Sequence, residues 1–194
     1  MQSRLKGWYD ALFRPWPPIG DLQELGDFID AQAAFLTQKG IYEYARARAG
    51  HYSKVLFGEQ SFRDAIEISR WQAYPLGLAM VCELTEGVVA GARGADRGPQ
   101  LRRLRSLTLS VFDRYPVPVL LGEGPWGEAR VELDRRLQLI GLHPPKRAFE
   151  ICDPFAKAYF DFMPIHPKLR TAEAPTLHNY LKATLCNMHE ELSR

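Results

Sequence analysis

One cysteine in this sequence stands where nucleophilic chemistry is conceivable. Cys152 is followed by Asp153 and Pro154, where a helix is expected to break, and a cysteine at a helix N-terminus has a lowered pKa. His143 or His166 would be the base, because a nucleophile and its base need only be close in space. An inert, buried thiol is the simpler interpretation of Cys152. The residues thus offer a catalytic hypothesis and a structural alternative.

A pair of glutamates lies within an otherwise apolar stretch. Glu83 and Glu86 fall inside residues 75–92, and a carboxylate among apolar residues must be paired, protonated or exposed. Their spacing places them about 60° apart on one side of a helix. They form either a solvated stripe or ion pairs with Arg63 or Arg70 from the preceding helix. As acid–base groups, they complete the set of catalytic candidates.

Metal-binding motifs are absent from the sequence. There is no Glu-x-x-His, His-Glu-x-x-His or Cys-x-x-Cys, the spacings that helical metal sites use. The last helix carries Cys186, His189 and Glu190, which would make half a site at best. His178 lies about 16 Å from His189 along that helix, too far to share one ion. We therefore expect no metal and no cofactor.

Arginines are concentrated around one expected helix, residues 100–114. With the preceding loop, this region offers an anion-binding set, since such clusters can meet phosphates or an acidic partner. The net charge of the whole chain is only +2, whereas nucleic-acid binders usually show a stronger basic excess. A solvated helix face is the commoner explanation. The anion-binding candidates are Arg97, Arg102, Arg103 and Arg105.

Aromatic side chains are dense in residues 154–163 and near the N-terminus. Most of those in 154–163 recur at three- and four-residue spacing, as in a helix that faces a core. Phe160 departs from that face, so it is either a core residue or an exposed contact beside Lys168 and Arg170. The N-terminal segment also has a strong apolar face. The candidate partner-binding residues are Trp8, Phe13, Phe160, Lys168 and Arg170.

The elements that would position these residues are all helical. Apolar residues recur every three to four positions, and no convincing strand-period alternation is found. The pattern predicts a single-domain, all-α bundle of roughly seven to nine helices with connections rich in proline and glycine. Pro75 should kink or end a helix, and residues 92–100 read as a loop. The expected helices are 22–36, 41–58, 61–74, 76–91, 100–114, 125–141, 144–152, 154–163 and 174–194.

The domain organisation follows from a stiff proline-rich link. Residues 14–20 separate an N-terminal amphipathic helix, residues 1–14, from a helical domain over residues 20–194.

Hydrophobic residues make up 46% and charged residues 25% of the chain, as in a soluble globular protein. The three cysteines are far apart in the sequence, which favours reduced thiols over a disulfide framework. We see no secretory signal or membrane span, so we expect a cytoplasmic protein.

Three functions compete at this point. The absence of catalytic motifs favours a non-catalytic interaction module, regulatory or scaffolding, that binds a protein partner or another copy of the chain. The alternative is a hydrolase-like enzyme on a helical bundle, acting on a small molecule or with a metal. The third is a nucleic-acid binder that uses the arginine-rich helix 100–114. None of these motifs identifies a protein family.

Overall fold

The described part of the protein is helical throughout. The computed structural model describes residues 19–93, 97–164 and 167–193, with the side chains of 91–93 and 167–173 left out. No strand occurs in these ranges, which confirms the predicted all-α class. The helices are α1 Leu22–Thr37, α2 Tyr44–Ala49, α3 Ser53–Leu56, α4 Gln60–Arg93, α5 Arg97–Phe112, α6 Glu123–Ile140, α7 Ala156–Asp161 and α8 Pro167–Leu192.

Helix α4 is the centre of the bundle and packs against α1, α5, α6 and α8. Every residue from 73 to 86 is buried, so this stretch is surrounded on all sides and has no solvent face. Gly77 allows a close approach to α1, because a Cβ there would lie 3.1 Å from the carbonyl oxygen of Ala33. The described part of the chain has one helix, over Gln60–Ala90, that is long and apolar enough to cross a membrane, and 78% of its most apolar window is buried inside the bundle.

The expected count of seven to nine helices is slightly too high, because only five helices of the described ranges, α1, α4, α5, α6 and α8, have sixteen residues or more. Two of these, α4 and α8, run through prolines at which the sequence predicts a boundary. Pro75 neither ends nor divides α4, which runs from Gln60 to Arg93 through it. Pro175 likewise lies inside α8, which begins at Pro167 rather than near residue 174. Proline removes one backbone hydrogen bond from a helix, and the neighbouring buried contacts outweigh that local cost at residue 75. Helices α4 and α5 extend into the loop expected at 92–100, and residues 94–96 lie outside the described ranges.

A π-helical segment, Gln38–Glu43, joins α1 to α2. Its Gly40 is buried directly against the hydroxyl of Tyr159, the largest fully buried side chain. The Tyr159 hydroxyl donates a hydrogen bond of 2.8 Å to the carbonyl oxygen of Leu36, at the end of α1. A Cβ on Gly40 would overlap that hydroxyl. Tyr159 of α7 therefore packs into the junction between α1 and the π-helical segment.

Two tyrosines and one aspartate tie α1 to the middle of the bundle. The hydroxyls of Tyr74 and Tyr115 donate hydrogen bonds of 2.7 and 2.8 Å to the same carboxylate oxygen of Asp30. Trp71 packs edge-on against both tyrosine rings. Burial, and secondarily Asp30, raises the pKa of Tyr74 well above its usual range. The neutral phenol is thus the form that the folded protein stabilises.

This shift predicts a loss of stability in alkali. Unfolded Tyr74 ionises above about pH 10, whereas the folded residue keeps its proton, so its contribution is present below pH 10 and declines above it. One such tyrosine lowers the free energy of unfolding by about 1.4 kcal/mol at pH 11. Urea unfolding between pH 8 and 11 should show this decline, and Tyr74→Phe should make it shallower. The control Tyr52→Phe, at an exposed ring, should leave the parent's slope unchanged; a Tyr74→Phe slope as steep as the parent's would contradict the assignment.

Candidate functional site

The two glutamates of α4 are buried and ion-paired. Glu83 is 2% exposed and Glu86 is 4% exposed. Glu86 accepts a hydrogen bond of 2.7 Å from Nε of Arg97, and Lys146 places its Nζ 2.8 Å from Oε1 of Glu83. The ion-pair alternative is therefore the observed one. Its partners come from later in the chain rather than from the preceding helical segment.

The two arginines expected to pair with these glutamates bind other groups instead. Arg63 donates to the carbonyl oxygens of Phe57 and Gly58 at the start of α4. Arg70 binds Glu67, three residues earlier on the same helix. Both expected partners precede Pro75 on what was predicted to be a separate helix. Because α4 is continuous, its own earlier residues cannot fold back onto Glu83 or Glu86.

Arg97 connects three parts of the bundle. Besides Glu86, its guanidinium donates to the carbonyl oxygens of His143 at 2.5 Å and Ile140 at 3.2 Å. It therefore links α4 to the C-terminal end of α6 and the turn that follows. As a predicted anion-binding residue, Arg97 already holds an anion, and that anion is an internal carboxylate.

His143 is the catalytic candidate that meets a glutamate. Its Nδ1 lies 2.9 Å from the carbonyl oxygen of Pro144, and a carbonyl only accepts, so Nδ1 carries a proton. Nε2 then faces Oε1 of Glu83 at 3.5 Å. The Glu83–Lys146 contact is an ion pair without hydrogen-bond geometry, and Oε2 of Glu86 has no hydrogen-bond donor among the described residues. The sequence thus identified four members of this cluster as candidates, Glu83, Glu86, Arg97 and His143, but not Lys146.

The Glu83–Glu86 cluster does not line the surface depression found in the structure. That depression, of about 680 Å³, is lined by six residues at the start of α6, none of them in the cluster. The side chains of Arg97 and Lys146 pair with the two carboxylates instead. Removing either of these cations would leave a buried carboxylate without its partner. The arrangement stabilises the junction of α4, α5 and α6 and supports a structural role.

Cys152 belongs to a second cluster with a different histidine. Its Sγ, a carboxylate oxygen of Asp153 and a ring nitrogen of His178 lie within 4.8 Å of one another. Nε2 of His178 is 2.7 Å from Oδ1 of Asp153, and Nζ of Lys182 is 3.2 Å from the same oxygen. Of the two predicted bases, His143 lies beside Glu83 instead, and His166 lies outside the described residues.

The environment of Cys152 corrects the expectation of an activated thiol. Burial, followed by the charge of Asp153, raises the pKa of Cys152 to about 11, so the neutral thiol predominates near pH 7. The residue lies in a turn, and α7 begins only at Ala156, so no helix N-terminus lowers the pKa. His178 was not a catalytic candidate: it lies 25 residues after Asp153, the residue that it contacts, and no short-range spacing reveals that contact.

The candidate metal ligands of the last helix do not gather into a group of three. Cys186 is partly buried, whereas His189 and Glu190 are exposed on α8. Among the residues that the structure describes, the one group of three possible ligands is Cys152, Asp153 and His178. A spacing rule within one helix missed it because its members come from a turn and a helix.

The arginine-rich region is largely neutralised by carboxylates. Arg105 makes a bidentate pair with Asp134 at 2.6 and 2.7 Å, a geometry that fits a guanidinium to a carboxylate. Arg97 is bound to Glu86 as described above. Arg102 and Arg103 are exposed on α5. Two of the four predicted anion-binding side chains therefore face solvent.

The predicted partner-binding residues are only partly within the described structure. Phe160 is 8% exposed and belongs to the core, so of the two alternatives for it, the structure supports the core. Trp8 and Phe13 lie outside the described residues, as do the side chains of Lys168 and Arg170. Their role in binding stays a prediction.

A different apolar surface is present, which we call the apolar ridge and define as Val117, Val119 and Leu120. All three side chains are exposed, and that of Val119 is 95% exposed. The ridge lies in the turn between α5 and α6. Two backbone hydrogen bonds of 3.0 Å, from the amides of Leu121 and Gly122 to the carbonyl oxygen of Pro118, hold that turn.

The shallow depression adjoins the ridge in sequence. It is lined by Glu123, Gly124, Gly127, Glu128, Val131 and Glu132, on the first turns of α6.

No family model, curated protein or solved structure matches this chain. The geometry of its own residues is therefore the basis for a functional proposal.

Proposed function

We propose that this protein is a non-catalytic interaction module that binds a protein partner through the apolar ridge. The observation that carries the proposal is the near-complete exposure of Val119 between two other exposed apolar side chains, Val117 and Leu120. Exposed clusters of this kind mark interaction sites more often than isolated exposed residues do. Burying one such side chain contributes about 1.5 to 3 kcal/mol.

The ridge is presented by an ordered turn, which favours binding. Pro118 is buried while its neighbours point outward, and Gly122 adopts a positive φ of 82° that closes the turn. Only glycine takes this conformation without strain. A surface that is already ordered loses little conformational entropy when a partner covers it.

The neighbouring charges define the chemistry of the partner. Glu123 and Glu128 line the depression that follows the ridge in sequence, and Val131 adds an exposed apolar side chain to that depression. Acidic side chains around apolar ones complement a segment that carries lysine or arginine beside apolar residues. We therefore propose a partner protein with a basic, amphipathic segment rather than an acidic or nucleic-acid partner.

Replacing Val119 by aspartate should abolish this interaction without unfolding the protein. A charge at the centre of the ridge opposes burial, so affinity should fall at least about 30-fold, as for a central interface residue. The matched control is Leu142→Asp, a residue 79% exposed just beyond the other end of α6. The measurement is a quantitative pull-down by mass spectrometry with parent and variants, followed by titration of the captured protein.

Charge reversal tests the same surface independently. Glu123→Lys combined with Glu128→Lys should weaken binding of the same protein, whereas Leu142→Asp should preserve it. Sedimentation of the purified chain would detect self-association through the ridge, which would replace the partner protein with a second copy. Equal capture by the parent and by both ridge-side variants would refute the proposal.

The other two hypotheses have weaker support. His143 meets Glu83, as the enzyme hypothesis requires, but Lys146 pairs with that carboxylate and the depression is elsewhere. Of the four predicted anion-binding arginines, the nucleic-acid hypothesis retains the two exposed ones, Arg102 and Arg103, and retention on heparin at moderate salt would revive it. We also propose a cytoplasmic location, on the ground that Cys82, Cys152 and Cys186 are free thiols.

A further inference from the structure

We propose that Cys152, Asp153 and His178 form a binding site for one divalent transition-metal ion of the zinc class. This is independent of the apolar ridge and departs from the sequence-based expectation of no metal. One ligand atom from each residue lies within 4.8 Å of the other two. The fourth coordination position would be taken by water, since Asp153 is exposed and His178 is partly so.

The backbone of the turn holds two of the ligands beside the third. The carbonyl oxygen of Cys152 accepts hydrogen bonds from the amides of Phe155 at 2.9 Å and Ala156 at 2.8 Å. The amide of Asp153 donates to the carbonyl oxygen of Glu150 at 3.2 Å. These bonds fix both consecutive side chains next to α8, where His178 projects. The three ligands thus come from two elements whose relative position the bundle determines.

The donor set favours zinc over calcium or magnesium. It combines one thiolate, one imidazole and one carboxylate, which are the protein ligands of Zn²⁺ at about 2.0 to 2.3 Å. Hard cations instead demand oxygen ligands alone. Three protein ligands with one open position is the geometry of an accessible zinc ion rather than a closed structural one.

Metal binding requires one proton to leave and one contact to open. The ion replaces the proton on Sγ of Cys152, which goes to solvent, and opens the 2.7 Å contact between His178 and Asp153. The neutral imidazole binds the ion through Nε2, so the proton that Nε2 holds toward the carboxylate goes to solvent while Nδ1 takes one up, with no further net release of protons. A thiolate and a carboxylate carry two negative charges, so they balance a divalent ion. No electron transfer or further reactant is involved.

The effect of removing Lys182 distinguishes a metal site from a structural ion-pair cluster, because the two predict changes in opposite directions. Its Nζ lies 3.2 Å from the same oxygen of Asp153, and its side chain is partly exposed. An ammonium group so close repels an incoming cation and competes for its ligand. Removing that charge should therefore strengthen metal binding, whereas it would weaken a purely structural Asp153–His178–Lys182 ion-pair cluster.

The test uses the full chain, stripped with a chelator and titrated with Co²⁺ as a spectroscopic substitute for Zn²⁺. We expect one ion per chain and a thiolate-to-cobalt charge-transfer band that Zn²⁺ abolishes by displacement. Cys152→Ser should remove the band, and Cys186→Ser, the matched control, should keep it. His178→Gln should weaken binding by about 100-fold or more, and Lys182→Gln should strengthen it on the order of tenfold.

Several results would overturn the proposal. They are a folded parent that binds no stoichiometric Co²⁺, a band that survives Cys152→Ser, or a band that Cys186→Ser abolishes. Circular dichroism checks that each variant is folded. If the buried Cys152→Ser variant does not fold, the partly exposed His178→Gln decides, and unchanged affinity in that variant refutes the site.

Discussion

Gly40→Ala should lower the free energy of unfolding by about 3 kcal/mol, as expected for a methyl group forced into a filled core. The added Cβ would overlap the hydroxyl of Tyr159 and lie 3.0 Å from two of its ring carbons. Tyr159 cannot move away cheaply, because it is fully buried and its hydroxyl is bonded to the carbonyl oxygen of Leu36. Urea unfolding monitored by circular dichroism measures the loss.

A helical glycine without neighbours provides the control. Gly124 lies in α6, and nothing lies within 4 Å of a Cβ placed there. Gly124→Ala should therefore raise stability by up to about 1 kcal/mol, the difference in helix propensity. If Gly40→Ala behaved like Gly124→Ala, the close contact with Tyr159 would not exist.

A double-mutant cycle isolates the clash. Tyr159→Phe alone should cost about 1 to 2 kcal/mol, because the carbonyl oxygen of Leu36 loses its buried donor. Combined with Gly40→Ala, it removes the atom that the new methyl group would strike most closely. The double variant should be destabilised by less than the sum of the two single changes. Simple additivity would show that the two sites are not in contact.

Arg97→Met should lower the free energy of unfolding by about 3 kcal/mol, the lower end of the range for breaking a buried ion pair from one side. Glu86 is 4% exposed and would lose its only cation within the described residues. The carbonyl oxygens of His143 and Ile140 would each lose a donor as well. Because Arg97 is itself partly exposed, water reduces the penalty below its upper limit.

Removing Glu86 as well tests whether its unpaired charge causes the loss of stability in Arg97→Met. Glu86→Leu on the Arg97→Met background eliminates the unpaired buried charge, and such apolar replacements of an ion pair are often neutral or stabilising. We expect the double variant to recover more than half of the loss. Arg103→Met, at an exposed position of the same helix α5, is the control and should change stability by less than about 0.5 kcal/mol. No recovery in the double variant would mean that the carbonyl contacts, not the charge, dominate.

Local sequence pattern predicted the secondary structure well where a helix has one apolar face. Asp21 precedes α1, and its carboxylate accepts the amide proton of Glu24 at 2.8 Å, the N-cap contact that aspartate favours at this position. The pattern failed at Pro75, where a local rule about proline competes with burial on all sides. A helix that is enclosed by four others tolerates a missing hydrogen bond because its surrounding contacts do not depend on it.

The sequence identified only some of the residues in each charged cluster. The apolar neighbours of Glu83 and Glu86 raised ion pairing as one of two alternatives, beside a solvated stripe, and the structure shows both carboxylates buried and paired. That Arg97 and Lys146 supply the cations could not be inferred, because they lie 11 and 63 residues after the glutamates they bind. Likewise, the sequence singled out Cys152, whereas only the fold brings His178 to it.

The amino-acid sequence by itself determined the helical class, the helix faces that turn inward and the apolar setting of Glu83 and Glu86, which left ion pairs and a solvated stripe as alternatives. These properties depend on residues within a few turns of one another, whose geometry in a helix is known in advance. Tertiary structure alone decided which cation meets which carboxylate, which histidine stands beside Cys152 and which apolar residues stay outside. Those choices depend on how distant helices pack, and the energy of packing belongs to the whole bundle rather than to any short segment.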